Sequence, residues 1–222
     1  MTEAAWLAAA AIDRTVREFA LKHLSDRKRR LFACACCRRV WDVLGHDDLR
    51  RGVEAAELHA DGLLNKRALA AAREAVDRHT GAQDARDFHA LAVKWALERH
   101  RQFPLCSSQY ASEALAASGR RKFWSAAYQR AVAAEQAEQV VLLRDVVGNP
   151  FRPVAFAAEW RTSTAVALAQ EMYESRDFGA MPILADALQD AGCDSGDVLD
   201  HCRAAAPHVR GCWVVDLVLG KE

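Results

Sequence analysis

Helix breakers are scarce in this sequence. Only 5 of its 222 residues are proline and 11 are glycine, so long stretches carry nothing that would end a helix. Excess charge is missing too. Thirty Lys and Arg balance 30 Asp and Glu, which removes the broad field that draws a protein to nucleic acid or an anionic membrane. No run approaches the roughly 18 apolar residues of a membrane span. The N-terminus, MTEAAWLAAAAIDR, has Glu3 where a secretory leader has bases, so it reads as a poor signal peptide. Catalytic phrases are also absent: there is no GxSxG elbow, HExxH, Walker loop, GxGxxG or DxDxDG. Acid pairs such as Glu54/Glu57 and Glu135/Glu138 have no Glu-x-x-His beside them, which excludes the di-iron bundle pattern and leaves solvated acidic helix faces.

What remains is a chain that is 51% apolar and 27% charged, an ordinary composition for a globular protein, with abundant Ala, Leu, Arg and Glu favouring helix. Its seven cysteines are an odd number, and three crowd into four residues. That is not a secreted disulfide framework, and reduced thiols in a cytoplasm are the simpler expectation.

The stretch from Ser25 to Leu44, SDRKRRLFACACCRRVWDVL, reads as one helix. At about 100° per residue, Phe32, Ala33, Cys34, Cys36, Cys37, Val40, Trp41, Val43 and Leu44 fall on one arc of roughly 200°. A helix apolar over so wide an arc touches neighbours on several sides and is central. Around it the chain reads as helix after helix. Thr2 caps a first short one and a second runs from about Asp13 to Leu24. Ser25 or Asp26 opens the central helix and Gly45 stops it. Asp47 or Asp48 caps the next, Asn65 another closed by Gly81, and Asp84 opens a third. Pro104 marks a break before a helix around Ser107 to Ala117. Gly119 follows, then a long helix from about Arg121 to Val147. GNPFRPV, from Gly148 to Val154, breaks the chain twice with proline. Four short helices then run over about Ala155–Trp160, Thr162–Ser175, Pro182–Ala191 and Asp194–Ala204. HVRGCWVVDLVLG at the end has strand-like composition but no partner strand, so a buried helix is expected. The fold expected is all-α: a compact, orthogonal bundle of about ten helices in a single domain over 1–222, with subdivision at 102–107 or 148–153 as the alternative. The six tryptophans, Trp6, Trp41, Trp95, Trp124, Trp160 and Trp213, sit among apolar helical positions and read as core, or else as the lining of a partner groove.

Several phrases run through nearly the whole chain in order: TEAAWL, SDRKRRLFACACCRRVW, AELHADGL, LLRDVVGNPFRPV, LADALQDAGC and HVRGCWVVDLVLGKE. In them the chain resembles a family of uncharacterised proteins expanded in planctomycete-type bacteria. It departs from that pattern between Ala8 and Leu24, where a Pro-containing turn would be expected and the sequence runs on as an Ala-rich helical pattern. LADALQDAG is also faintly similar to the ADWLEERG-like phrase of a short repeat-companion module. The resemblance implies no activity, cofactor or catalytic residue.

Three constellations could carry chemistry. Cys34 and Cys37 lie about 60° apart on the central helix. Cys193, His201, Cys202, His208 and Cys212 cluster near the C-terminus, with His208 and Cys212 at a spacing that would share a helix face. Zinc candidates are therefore Cys34, Cys37, Cys202, His208 and Cys212, although no CxxC is matched by a second. The competing reading is that these cysteines are small core residues. A buried thiol beside arginine would also be inert as a redox sensor. The second constellation is Arg27, Lys28, Arg29 and Arg30, in a first helical turn where cations oppose the dipole, with Arg38 further along. They invite an acidic partner. Either another protein or phosphate could supply it, or the chain's own acids, such as Asp186, Asp190, Asp194, Asp197 and Asp200. Arg152, between Phe151 and Pro153, could bind an anion or bond carbonyls at a broken helix end. Third, a single Cys with a distant His could form a nucleophilic pair, which sequence cannot select. The function expected is a cytoplasmic, non-catalytic protein-interaction or regulatory module without a cofactor. The alternatives are a zinc- or nucleic-acid-binding regulator and a cysteine-dependent enzyme.

Overall fold

The structure is a computed structural model that describes residues 1–80, 88–98, 103–118, 122 and 124–221. Among these residues every regular element is helical. The α-helices are α1 Glu3–Ala8, α2 Arg14–His23, α3 Asp26–Arg39, α4 Asp47–Ala60, α5 Lys66–Asp77, α6 Phe88–Leu97, α7 Phe103–Ser118, α8 Ala126–Val147, α9 Ser163–Ser175, α10 Met181–Asp190, α11 Gly196–Arg203 and α12 Trp213–Leu219. Single 3-10 turns occupy Trp41–Val43 and Ala158–Trp160. The fold is all-α, with twelve α-helices among the described residues where about ten were expected.

Most helix starts follow the capping chemistry of the sequence. Side-chain oxygens of Thr2, Asp13, Ser25, Asn65 and Thr162 accept backbone N–H bonds from Ala5, Val16, Lys28, Ala68 and Ala165 at 2.8–3.2 Å. The differences are local. The single helix expected over 25–44 ends at Arg39, because Val40 turns to φ −107°, ψ 18° and donates to Cys37 O, tightening the last turn into 3-10. Asp47 and Asp48 lie inside the first turn of α4, where they favour the dipole, and His46 takes the cap position. Pro104 sits in the first turn of α7, where its missing N–H has no helical partner to lose, so the helix starts earlier than Ser107. α8 starts at Ala126 with Ser125 Oγ accepting from Tyr128 N. Trp124 precedes it at φ 61° and is 66% exposed, so it is no core residue. Pro153 leaves only a 3-10 turn within Ala155–Trp160, and α11 starts at Gly196 behind Ser195 rather than at Asp194. The expected roles of Gly81, Asp84, Gly119 and Arg121 fall outside the described residues.

The chain divides by contact into two units, Met1–Val140 and Val141–Glu222, with the boundary inside α8. In the first unit α3 packs against α4, α6 and α7. Leu31, Phe32 and the consecutive run Ala33 to Cys37 are buried, and each large side chain so buried contributes about 1.5–3 kcal/mol. Gly52 lets α4 approach α5 and α6, since a Cβ there would stand 2.8 Å from a Val76 methyl and 2.9 Å from a Val93 methyl. In the second unit α9, α10, α11 and α12 enclose a core of small and medium residues, including Ala165, Ala169, Met172, Leu184 and Val215. Of the final segment, expected as one buried helix, only α12 is helical, with Val214, Val215 and Val218 buried, while 208–212 is irregular. α12 stops at Gly220, φ 65°.

Candidate metal centre

The second unit brings four polar side chains together at one point. The first comes from the end of α8, where the apolar run Val140, Leu142, Leu143 and Val146 is buried and Asp145 is buried with it. Gly148, φ +75°, ends that helix and returns its N–H to Arg144 O at 2.7 Å. On α11, Val198 and Cys202 face the core. His201, one residue before Cys202 and therefore about 100° around the helix, lies at its edge. The chain then crosses without regular structure from Ala204 to Cys212, and this strap supplies His208. Cys212 closes it as the N-cap residue of α12, its N–H bonded to Val209 O at 2.9 Å.

The donor atoms converge. Asp145 Oδ1 stands 2.6 Å from His208 Nδ1 and 3.2 Å from His201 Nε2. Cys212 Sγ is 3.2 Å from His201 Nε2 and 3.9 Å from His208 Nδ1. All four donor atoms lie within 4.8 Å of one another. Metal–ligand bonds of 2.0–2.3 Å in a tetrahedron set donors about 3.3–3.8 Å apart. Three of the four measured separations are near that range. The 2.6 Å separation is instead a direct hydrogen bond between His208 and Asp145. Asp145 Oδ2 is occupied as well, accepting the N–H of Val209 at 2.9 Å.

The electrostatics follow from burial and proximity. Burial works to raise the Asp145 carboxyl, but the hydrogen bonds from His201 and His208 outweigh it and hold the group below its ordinary value. Burial, and then the nearby Asp145 carboxylate, push the Cys212 thiol well above its usual range. The thiol is therefore protonated at neutral pH in the metal-free protein.

This pattern differs from a nucleophilic triad. There the acid bonds one ring nitrogen while the other faces the nucleophile, so that a proton can pass through the ring. Here Asp145 and Cys212 approach the same nitrogen of His201, Nε2, and the same nitrogen of His208, Nδ1. The rings point at a common centre and relay nothing. Nε2 of His208 is buried with no hydrogen-bond partner among the described residues. The Trp213 ring lies 5.1 Å from that of His201, and a Cβ on Gly148 would meet Trp213 Cγ at 3.1 Å. Backbone, indole and imidazole therefore lie against one another in order, with the two rings tilted by 54°.

The chain matches no protein-family model, no curated protein and no solved structure. The chemistry of the site therefore rests on its own atoms.

Of the residues proposed from sequence as ligands, the structure brings together His208 and Cys212. They meet through the strap and not along a helix face. Cys202 packs into the core, and its thiol is pushed up to about 12, chiefly by burial. Cys34 and Cys37 are buried in α3, where burial raises both thiols. Among the described residues neither belongs to a group of three or more potential ligands. Asp145 was not among the candidates. Its signal was a lone acid in the apolar run VVLLRDVVG. His201 was seen only as a neighbour in sequence.

The arginines of α3 are engaged within the first unit. Arg27 Nε donates to Asp61 at 3.0 Å, and Arg29 bonds Asp26 at 2.5 Å and Leu21 O at 2.6 Å. Arg30 donates to Ala96 O and Glu98 O. Arg38 and Arg39 make two-pronged pairs with buried Glu57 and Glu135. Carboxylates of the chain meet Arg27, Arg29, Arg38 and Arg39 while Arg30 meets carbonyls, and none of these partners belongs to the Asp186 to Asp200 series that the sequence offered. The acids seen are Asp26, Asp61, Glu57 and Glu135, while Asp186 of the carboxyl-terminal series is bonded by Arg203.

Proposed function

We propose that this protein is a non-catalytic helical regulatory module whose second unit binds one divalent transition-metal ion through Asp145, His201, His208 and Cys212. The observation that carries the reading is the convergence of one nitrogen from each histidine with a thiol and a carboxylate inside 4.8 Å. Two imidazoles, a thiolate and a carboxylate suit zinc, which accepts nitrogen, sulfur and oxygen in tetrahedral array. The cysteine-enzyme alternative is disfavoured for Cys212, since a fully buried thiol raised above its usual range cannot meet a substrate. Nucleic-acid binding is disfavoured by the engagement of Arg27, Arg29, Arg30 and Arg38 with carboxylates and carbonyls. The module's effector is proposed to be another protein, met in a reducing cytoplasm. No helix among the described residues is long and apolar enough to cross a membrane.

The test is stoichiometry. Protein equilibrated with zinc and then desalted should retain about one ion per chain, because structural zinc binds tightly. Cys212→Ser and His201→Asn should each lower that retention sharply. Retention below about a tenth of an ion per chain would sink the reading.

A further inference from the structure

We infer that the ion acts as a clasp whose binding makes the order of the strap at 204–212 and of α12 conditional on metal. This rests on the metal reading above and adds a consequence for folding.

The ligands sit where the unit is least held by other means. The strap has no regular structure, and the segment from Arg203 to Pro207 is exposed. Beyond the Ala204 N–H that closes α11 on Asp200 O, its ties among the described residues are at His208 and Val209, both of which bond Asp145, and at Arg210, whose guanidinium lies 4.5 Å above the Tyr173 ring. α12 has only seven residues, too few for a helix to hold itself in water. It nevertheless delivers Val214, Val215 and Val218 to the core. An ion bound by Asp145, His201, His208 and Cys212 would fasten the middle of the strap and its junction with α12 to the end of α8 and to α11. The unit spans about 80 residues around a single core. At this size natural domains commonly add a metal or disulfide staple.

The site is also closed. Asp145 and Cys212 are 3% and 0% exposed, and four protein donors leave no open position of the kind a catalytic zinc keeps for water. The role left to the ion is structural. Metal supply then sets the fraction of molecules that present an ordered α12.

Hydrogen exchange of the full chain tests this, with zinc as the only added ligand and a chelator as control. At free zinc about a hundred times the dissociation constant, exchange of the α12 amides through opening should slow by about a hundred-fold. The slowing should vanish in Cys212→Ser. If that buried substitution prevents folding, His201→Asn carries the comparison, because its side chain is partly exposed. One zinc bound per chain with unchanged exchange over 204–219 would overturn the clasp and leave the binding site standing. No zinc bound at all would overturn the binding site, and the clasp with it.

Discussion

Gly52 and Gly148 each keep a methyl group out of the protein, and they differ in what they protect. In the middle of α4 a glycine is a weakness, and alanine would gain about 1 kcal/mol of helix propensity. The Cβ would nevertheless press on Val76 and Val93 at under 3 Å, and overpacking costs about 1–3 kcal/mol. Gly52→Ala should therefore destabilise modestly or come out near neutral. Gly148 has no such compensation. Its φ of +75° costs an L-residue about 1–2 kcal/mol, and the new methyl also pushes on the indole that packs against His201. Gly148→Ala should lower stability by about 1–3 kcal/mol in urea unfolding and exceed the Gly52→Ala effect. A midpoint for Gly148→Ala at or above the wild-type value would remove the packing argument. Neither role was visible in sequence. The break in GNPFRPV was assigned to its prolines, and nothing in that phrase says that Gly148 ends the helix or that Trp213 lies across it.

At the scale of elements, α3 separates what a helical projection can see from what it cannot. Projection placed Phe32, Ala33, Cys34, Cys36, Cys37, Val40, Trp41, Val43 and Leu44 on one apolar arc, and all are buried except Trp41 and Val43, which are half-buried in the 3-10 turn. It could not see that α4 and α8 would bring Glu57 and Glu135 beneath Arg38 and Arg39. Such pairing depends on which helices meet, and a periodicity holds no such information. Nor could it see Arg38 lying 4.5 Å over the Trp41 ring just where the helix tightens. Arg38 is partly exposed while Glu57 is buried, so the two partners are not equivalent. Arg38→Met would leave the buried Glu57 carboxylate uncompensated. It should cost about 2–4 kcal/mol, somewhat below the loss for a fully buried pair. Adding Glu57→Leu to that variant should restore most of the loss, because an apolar pair of similar volume removes the stranded charge. Denaturation of the two single variants and the double variant checks this. A double variant no more stable than Arg38→Met would show that the ion pair does more than neutralise itself.

At the scale of the whole molecule, the all-α class and most helix starts were legible because caps and periodicity act over a few residues. The site was half legible, because its donors run from Asp145 to Cys212, with 63 residues between the partners of the Asp145–His208 contact alone, and are assembled by a strap with no period. The sequence offered Cys202, whereas the converging group holds its neighbour His201, and one residue on a helix is the difference between the core and its edge. The seven cysteines allow a test that spans both units. None is joined in a disulfide, six are buried, and Cys106 is partly exposed. Burial raises the thiols of Cys34, Cys36, Cys37, Cys193, Cys202 and Cys212, and a protonated, inaccessible thiol does not attack a disulfide reagent. Native protein should therefore react with a thiol-titrating disulfide reagent at Cys106 and only slowly elsewhere, while denatured protein should release seven equivalents. Zinc should slow the reaction of Cys212 further, since its sulfur would be bound. Rapid modification of Cys212 in native, zinc-loaded protein, located by peptide mapping, would mean that the site opens to solvent. It would return the choice to a cysteine nucleophile.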